Sequence, residues 1–307
     1  MKRRLLPILM TLVLVCALPI WAAFVTSGDV TNPLVSTAWA TLPDLQAKID
    51  AAADNATITL DSNTEIAATL QITKNLTLDL NGCVLRMTGN RSVLCVYNGA
   101  TLTITDSSTA KSGTITGGNA EYGGGVYVDD YAALKMTGGC ITGCHASRGG
   151  GGIYSSGNLY MGGTAKIEKC TGSDDAIWNR ENSDIYADGG TVDGTVNNQG
   201  TIKRSEGAAA VTVFNGTVYN RSAGTIIAGI YNETVENNGT ITGGTFWGTV
   251  TNKKSAWGNE AGTISGGTFA VRFDTGDGTK PEPTLVEHNR TVLRPTSDPE
   301  KSGHTFV

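Results

Sequence analysis

One spacing constrains this chain more than any other feature. Ile115, Ile141 and Ile167 are evenly spaced, and Cys144 and Cys170 keep the same interval. Leu134 and Met136 return at almost that interval as Leu159 and Met161. Gly124-Gly125-Val126-Tyr127 returns as Gly151-Gly152-Ile153-Tyr154, with a looser echo in Ala176-Ile177-Trp178. A unit of this size cannot bury its own apolar face, so it must stack on its neighbours, and the chain builds a solenoid. Farther along, Gly-Thr-Ile and Gly-Thr-Val units recur, with Gly216, Gly239 and Gly262 evenly spaced at a slightly shorter interval. Gly243-Gly244-Thr245-Phe246 returns at that shorter interval as Gly266-Gly267-Thr268-Phe269. The spacing predicts one continuous stack whose coils tighten slightly toward the carboxyl end.

Composition decides which solenoid. The 307 residues include 40 Gly and 42 Thr, too much Gly for helical repeats and a bias toward strands. The Gly residues do not recur at every third position, which excludes collagen. Short β runs at residues 57–60, 70–72, 76–80 and 102–104 are punctuated by Asn81-Gly82, Thr88-Gly89 and Asn98-Gly99. The Leu-and-Asn consensus of leucine-rich repeats is missing, as is the Gly-Gly-x-Gly-x-Asp series of calcium-binding nonapeptides. The prediction is therefore all-β: a right-handed parallel β-helix over residues 42–271. Its two or three short strands per coil would stack at ~4.8 Å in about nine rungs, roughly 43 Å in all. Only Leu42, Leu45, Ile49 and Ala53 keep helical spacing. They predict a short amphipathic helix over the first coil, the cap that an open stack requires.

The ends read differently. Lys2, Arg3 and Arg4 precede an uncharged stretch at residues 5–25, the layout of a secretory signal peptide. The stretch is also long enough to remain as an anchor, although Pro7 and Pro19 disfavour a spanning helix. Residues 1–27 are thus read as signal peptide or anchor and 28–41 as linker, with cleavage near 25–27 or after Ala38-Trp39-Ala40. Either way the remainder is secreted or displayed at the cell surface, and membrane contact runs only through this segment. Without the three basic residues, 20 Lys and Arg face 28 Asp and Glu, a net charge of −8. That balance suits solubility and carries no footprint for nucleic acid or anionic surfaces. From Arg272 the repeat lapses into a polar linker at 272–291.

Leu76-Thr77-Leu78-Asp79-Leu80-Asn81-Gly82 resembles an early coil of the pectin-lyase-like β-helix superfamily. The Gly-Gly-Ile-Tyr repeats with a following Met-x-Gly-Gly resemble repeats of bacterial polymorphic outer-membrane and adhesin-like surface proteins. Cys144 and Cys170 stand where that family's Phe-x-x-Asn motif has Asn. Residues 292–307, with Arg294-Pro295 and Gly303-His304-Thr305-Phe306-Val307, resemble the opening of a Listeria–Bacteroides repeat, a β-rich module strung along bacterial surface proteins. The chain's stop at Val307 reads as truncation of that module. The resemblance implies an adhesin-like or structural scaffold that binds glycans or a host or cell-surface protein. Its alternative is a polysaccharide lyase or glycoside hydrolase.

Such enzymes need paired carboxylates, or an Asp cluster binding calcium beside a Lys or Arg base. The candidates are Asp129, Asp130, Asp174 and Asp175, with Arg148, Lys166, Lys169 and Arg180 near in sequence. Asp pairs flanked by Gly, Ser and Ala are turn chemistry first. The ordered hydrolase pattern (Asn-x-Asp, Asp-Asp, Gly-His-Gly, Arg-x-Lys) is missing, and His145 lacks the flanking Gly. The residues favour a binding scaffold over an enzyme, with no cofactor or metal; calcium enters only with the lyase alternative. Trp178, Trp247 and Trp257 are candidate platforms for sugar rings or packing residues of the corners. Beyond Cys16, Cys83, Cys95, Cys140, Cys144 and Cys170 form an odd set without zinc spacing, mostly small buried fillers. Cys144 and Cys170 share one phase of adjacent repeats, so they either stack as thiols or form a disulfide.

Overall fold

The computed structural model describes residues 45–173, 175–253, 262–271 and 283–290. The chain winds as an all-β parallel β-helix, with three strand-bearing faces per coil. The third face is a nine-stranded sheet running from Leu70–Ile72 to Val250–Asn252, every neighbour parallel. Coils are numbered here by their first-face strand, from Ala56–Thr59 in coil one to Thr263–Ile264 in coil ten. The steps between the strands of the third face, at ~4.8 Å each, span about 38 Å along the axis.

The strands are two to five residues long on most rungs, and their pattern alternates inward and outward. Pairing is in register, so each inward position sits above its own counterpart. On the second face one column runs Thr64, Leu85, Ile115, Ile141, Ile167, Val192, Phe214, Tyr231, Phe246 and Phe269. Ile115, Ile141 and Ile167 are completely buried within it. On the first face Leu76, Leu102, Leu134, Leu159, Ile185, Ile202, Ile226 and Ile241 stack in the same way. Fully burying each such side chain contributes about 1.5–3 kcal/mol, so these columns carry most of the stability.

The tightening of the later coils takes another form than one constant shorter period. Ile185, Ile202, Ile226, Ile241 and Ile264 share one column, so short coils (185 to 202, 226 to 241) alternate with long ones (202 to 226, 241 to 264). Gly239 and Gly262 both precede first-face strands, but Gly216 precedes the third-face strand Val218–Asn220. In the first of these longer coils the extra residues turn the corner at 204–212. The Gly-Gly-Thr-Phe repeat does mark one coil, and its physical reason is a ring. Phe214, Tyr231, Phe246 and Phe269 stack nearly parallel at 4.9–5.0 Å. Gly244 and Gly267 adopt φ of 103° and 109°, and a Cβ on either would lie 3.0–3.3 Å from ring carbons. Any other residue would be strained there and would crowd the stack.

A third kind of column fills the later third face. Asn179, Asn198, Asn220, Asn237 and Asn252 lie in register. Each amide Nδ2 donates to the next Oδ1 at 2.7–2.8 Å, and the first four residues are fully buried.

Both ends of the stack are covered. The helix Leu45–Ala51 buries Leu45 and Ile49 on the first coil. Gln46 pairs its amide with the backbone of Gln71 at 2.8 and 3.1 Å, satisfying the open edge of the first third-face strand. Lys74 donates to the carbonyls of Asp50 and Ala52 near the helix end. Residues 42–44 of the expected helix, and the segments 1–27 and 28–41, lie outside the described residues. Within the stretch read as a linker, 272–291, Thr284–Glu287 is a strand that pairs antiparallel with Thr268–Val271 and closes that edge. Residues 292–307 also lie outside the described residues. Among the described residues no helix is long and apolar enough to cross a membrane.

Two buried carboxylates pin the wide loop of coil three. Asp106 accepts the N–H groups of Gly82, Ser108 and Gly113 at 2.8, 3.1 and 2.6 Å. Asp79 accepts those of Asn81 and Ser107 at 3.0 and 2.9 Å. Burial alone would raise both pKa values, but hydrogen bonds from Ser108, Gly113 and Gly82 lower Asp106 on balance, and those from Ser107 and Asn81 lower Asp79. A folded pKa below the unfolded one contributes stability above the usual carboxylate range, which is lost as pH falls through the folded values. Thermal midpoints should therefore drop as pH is lowered below about 4, and Asp106→Asn should flatten that dependence while lowering stability at pH 7. For the amide ladder, Asn220→Leu orphans buried groups on both neighbours and should cost about 3 kcal/mol in urea unfolding. Asn252→Leu, at the ladder's end, should cost about 1 kcal/mol.

Candidate functional site

Outward positions of the third face gather aromatic rings. In Val126–Val128, Ile153–Ser155 and Ile177–Asn179 the flanking residues point inward, which turns Tyr127, Tyr154 and Trp178 outward in one register. Tyr127 and Tyr154 stack at 5.3 Å and 9°. Trp178 lies 6.1 Å from Tyr154, and Tyr97 extends the series below Tyr127 at 6.2 Å. Burial, followed by the charge of Asp129, pushes the Tyr127 phenol above its ordinary pKa.

A small ribbon walls this strip. Asn119–Tyr122 pairs with His145–Gly149 at the corner between the second and third faces. Tyr122 comes within 4.8 Å of Tyr154. Gly149 lies against the Trp178 ring, where a Cβ would overlap it. The Trp178 indole is thus half-buried, with its Nε1 enclosed and unbonded. Arg148 on the same ribbon pairs with Glu121 at 2.9 Å. Behind this wall Tyr154 is buried, at 8% exposure, so the strip offers the half-buried rings of Tyr127 and Trp178 and one bordering ion pair, a surface suited to apolar faces of sugars or to a partner's side chains.

The carboxylates named from sequence do not gather there as a pair. Asp129 and Asp130 follow the third-face strand of coil three, half-buried and exposed respectively. Asp175 precedes the third-face strand of coil five and is 3% exposed. A three-residue strand, about 10 Å, and two rungs, another ~10 Å, separate Asp129 from Asp175. Glycosidase carboxylates stand roughly 5–9.5 Å apart. Asp174 lies outside the described residues. Three of the four nearby bases are engaged: Arg148 with Glu121, Lys166 with Glu168 and Asp193 at 2.7 and 3.2 Å, and Lys169 with Glu168 at 3.6 Å, whereas Arg180 forms no ion pair among the described residues. His145 is an exposed ribbon residue whose Nδ1 meets the Thr171 hydroxyl at 3.1 Å. Among the described residues no group of three His, Cys, Asp or Glu is placed to hold a metal ion.

Trp247, 37% exposed, borders a hollow of about 570 Å³ in coils eight to ten, on the far part of the solenoid from Trp178. Trp257 lies outside the described residues. A second cleft of about 580 Å³ runs along Ile227, Gly244, Gly267 and His288. Its carboxylate, Glu287, is ion-paired with Arg290 at 3.5 Å. The tyrosine column was the part missed in reading the sequence; its signal was the Val-Tyr-Val, Ile-Tyr-Ser and Ile-Trp-Asn alternation inside the repeat.

No protein-family model, no curated protein and no solved structure matches this chain.

The Gly-Gly-Val-Tyr and Gly-Gly-Ile-Tyr motifs cover the cysteine pair. A Cβ on Gly125 would stand 3.5 Å from the Cys144 sulfur, and one on Gly152 3.3 Å from that of Cys170. Cys144 and Cys170 are buried on adjacent coils as free thiols, donating to the carbonyls of Thr142 and Ile141 at 3.6 Å. Contact with Cys144, then burial, holds the Cys170 thiol well above its ordinary pKa. Burial likewise pushes Cys140 up to about 11. Because both sulfurs are buried, native protein at pH 7.5 should leave Cys144 and Cys170 unlabelled by iodoacetamide, and both should react once unfolded. Peptide maps with and without reductant should coincide; a linked Cys144–Cys170 peptide would show the bridge instead.

Proposed function

We propose that this chain is a secreted or cell-surface β-helix of the pectin-lyase-like kind, serving as a rigid adhesin-like scaffold that binds glycans or proteins. The observation that carries this reading is the column Tyr127, Tyr154 and Trp178, held in register on one flat face, with Tyr97 against Tyr127 just past the end of the strand below. An aromatic strip on a stiff support gives many weak contacts at fixed spacing, and their joint engagement raises avidity without a deep pocket. The basic start and apolar stretch of residues 1–27 support export. The acidic balance makes nucleic acid and anionic membranes poor partners. The reading needs no cofactor; calcium belongs to the lyase alternative, which the separation of Asp129 from Asp175 disfavours.

Binding of the purified chain to a glycan array and to immobilised cell-surface protein tests it. Tyr127→Ala removes one outward ring and leaves the inward columns intact, so it should weaken binding at least tenfold with little change in thermal midpoint. Acidic polysaccharides, with and without calcium, provide the contrast. Release of unsaturated or reducing-end products that disappears in Asp129→Ala would replace the scaffold by a lyase or hydrolase.

A further inference from the structure

The corner between the third and first faces carries a feature outside the aromatic column. Four residues turn this corner in coil three (129–132) and four in coil five (180–183), but only two in coil four (156–157). The shorter corner sits back between two ridges and leaves a hollow of about 330 Å³, at the lower end of the range for small-ligand sites. Ser156, Gly157 and Asn158 form its floor, with Asp130 and Tyr131 on one ridge and Arg180 and Glu181 on the other.

Tyr131 is the anomaly. Its φ is +64°, at a corner where coil two has Asn98 at +57° and coil five Asn182 at +67°. Asn accepts this left-handed backbone with little penalty, whereas a bulky aromatic residue does not. The ring gains no packing in return, being 94% exposed. Strain without local compensation points to a use outside the fold. The surrounding polar side chains fit that use. Asp130, Asn158, Arg180 and Glu181 make no side-chain hydrogen bond or ion pair among the described residues. Donors and acceptors therefore ring one exposed aromatic face around a shallow hollow, while two acids against one base leave it mildly negative.

We propose that this hollow is a binding subsite for an uncharged pyranose unit of a glycan chain. The sugar's apolar face stacks on Tyr131, and its hydroxyls donate to Asp130 and Glu181 and accept from Arg180 and Asn158. Sulfated and uronic sugars are disfavoured by the acid excess. The inference rests on the scaffold reading above and names its ligand class and a separate point of contact.

The test is titration of the full chain with glycans that bind on an array of neutral, uronic and sulfated members, read by calorimetry and thermal melting. Neutral glycans should bind; Tyr131→Asn should weaken them at least tenfold while the thermal midpoint holds or rises, and Tyr131→Phe should stay within about threefold. Two residues inserted between Ser156 and Gly157 would fill the hollow and should abolish binding with the fold retained. Neutral-glycan binding that is lost in Tyr127→Ala but untouched by Tyr131→Asn would overturn this subsite and leave the scaffold reading standing. A lower midpoint for Tyr131→Asn would make the tyrosine a structural residue and overturn the proposal. So would binding confined to uronic or sulfated glycans, or no neutral glycan bound.

Discussion

In-register parallel stacking is the constraint on which everything else in this molecule depends. Each inward side chain must lie directly over a counterpart one rung away, at ~4.8 Å, for the length of the solenoid. Only groups that tolerate their own kind as neighbours satisfy this. Branched aliphatics do, as in Ile115, Ile141 and Ile167. Flat rings do when parallel, as in Phe214, Tyr231 and Phe246. Carboxamides do because each both donates and accepts, as in the ladder from Asn179 to Asn252. A column of like charges would repel itself in a low dielectric, and the buried acids Asp79 and Asp106 accordingly sit at a corner, held by backbone N–H groups.

The three kinds of column also hand over to one another. In the early coils the first face supplies a second inward column, Leu78, Ile104, Met136, Met161 and Ala187. The column ends at Ala187 in coil six: the first-face strand of coil seven, Thr201–Lys203, stops short of it, and from coil eight these strands have two residues. The second face changes from Val192 to Phe214 in coil seven, so a ring enters as aliphatic volume leaves. An interior near crystal density allows no other course, because an unfilled cross-section costs stability in proportion to the void.

This explains which parts of the structure were legible in the sequence. Where the number of residues from one rung to the next stays constant, as from Ile115 to Ile141 to Ile167, spatial register appears directly as sequence period, and those columns could be read off. Where corners vary, as at 204–212, register survives in space but vanishes from the spacing, so Gly216 fell out of phase with Gly239. The amide ladder was hidden for a different reason. Asn beside Gly is the ordinary signature of a turn, and nothing in Asn198-Gln199-Gly200 distinguishes an inward amide from an outward one. The helix was legible because its period differs from everything around it, whereas the strand Thr284–Glu287 has only its polar surroundings to mark it. The site was less legible still. Trp178 stood out by residue type, but the tyrosines that share its face and the left-handed backbone of Tyr131 depend on register and φ.

Since the inward columns alone fix the fold, outward positions are free to differ, and their engagement separates structural from recognising roles. Tyr160 and Tyr186 stack at 4.2 Å, Lys135 and Lys203 lie over their rings at 5.2 and 4.8 Å, and Lys203 reaches Asp184 at 2.6 Å. That cluster on the first face is complete within itself, and cross-strand and cation–π contacts account for it. The third-face column is only partly complete, because the ribbon covers Trp178 and Tyr154 more than Tyr127. Tyr131 has no ring partner among the described residues and an adverse backbone. Across these clusters the more of a side chain's bonding capacity the protein itself uses, the less remains for a ligand. By that measure recognition concentrates on coils three to five, where Tyr127 and Tyr131 keep ring surface that the protein itself does not use.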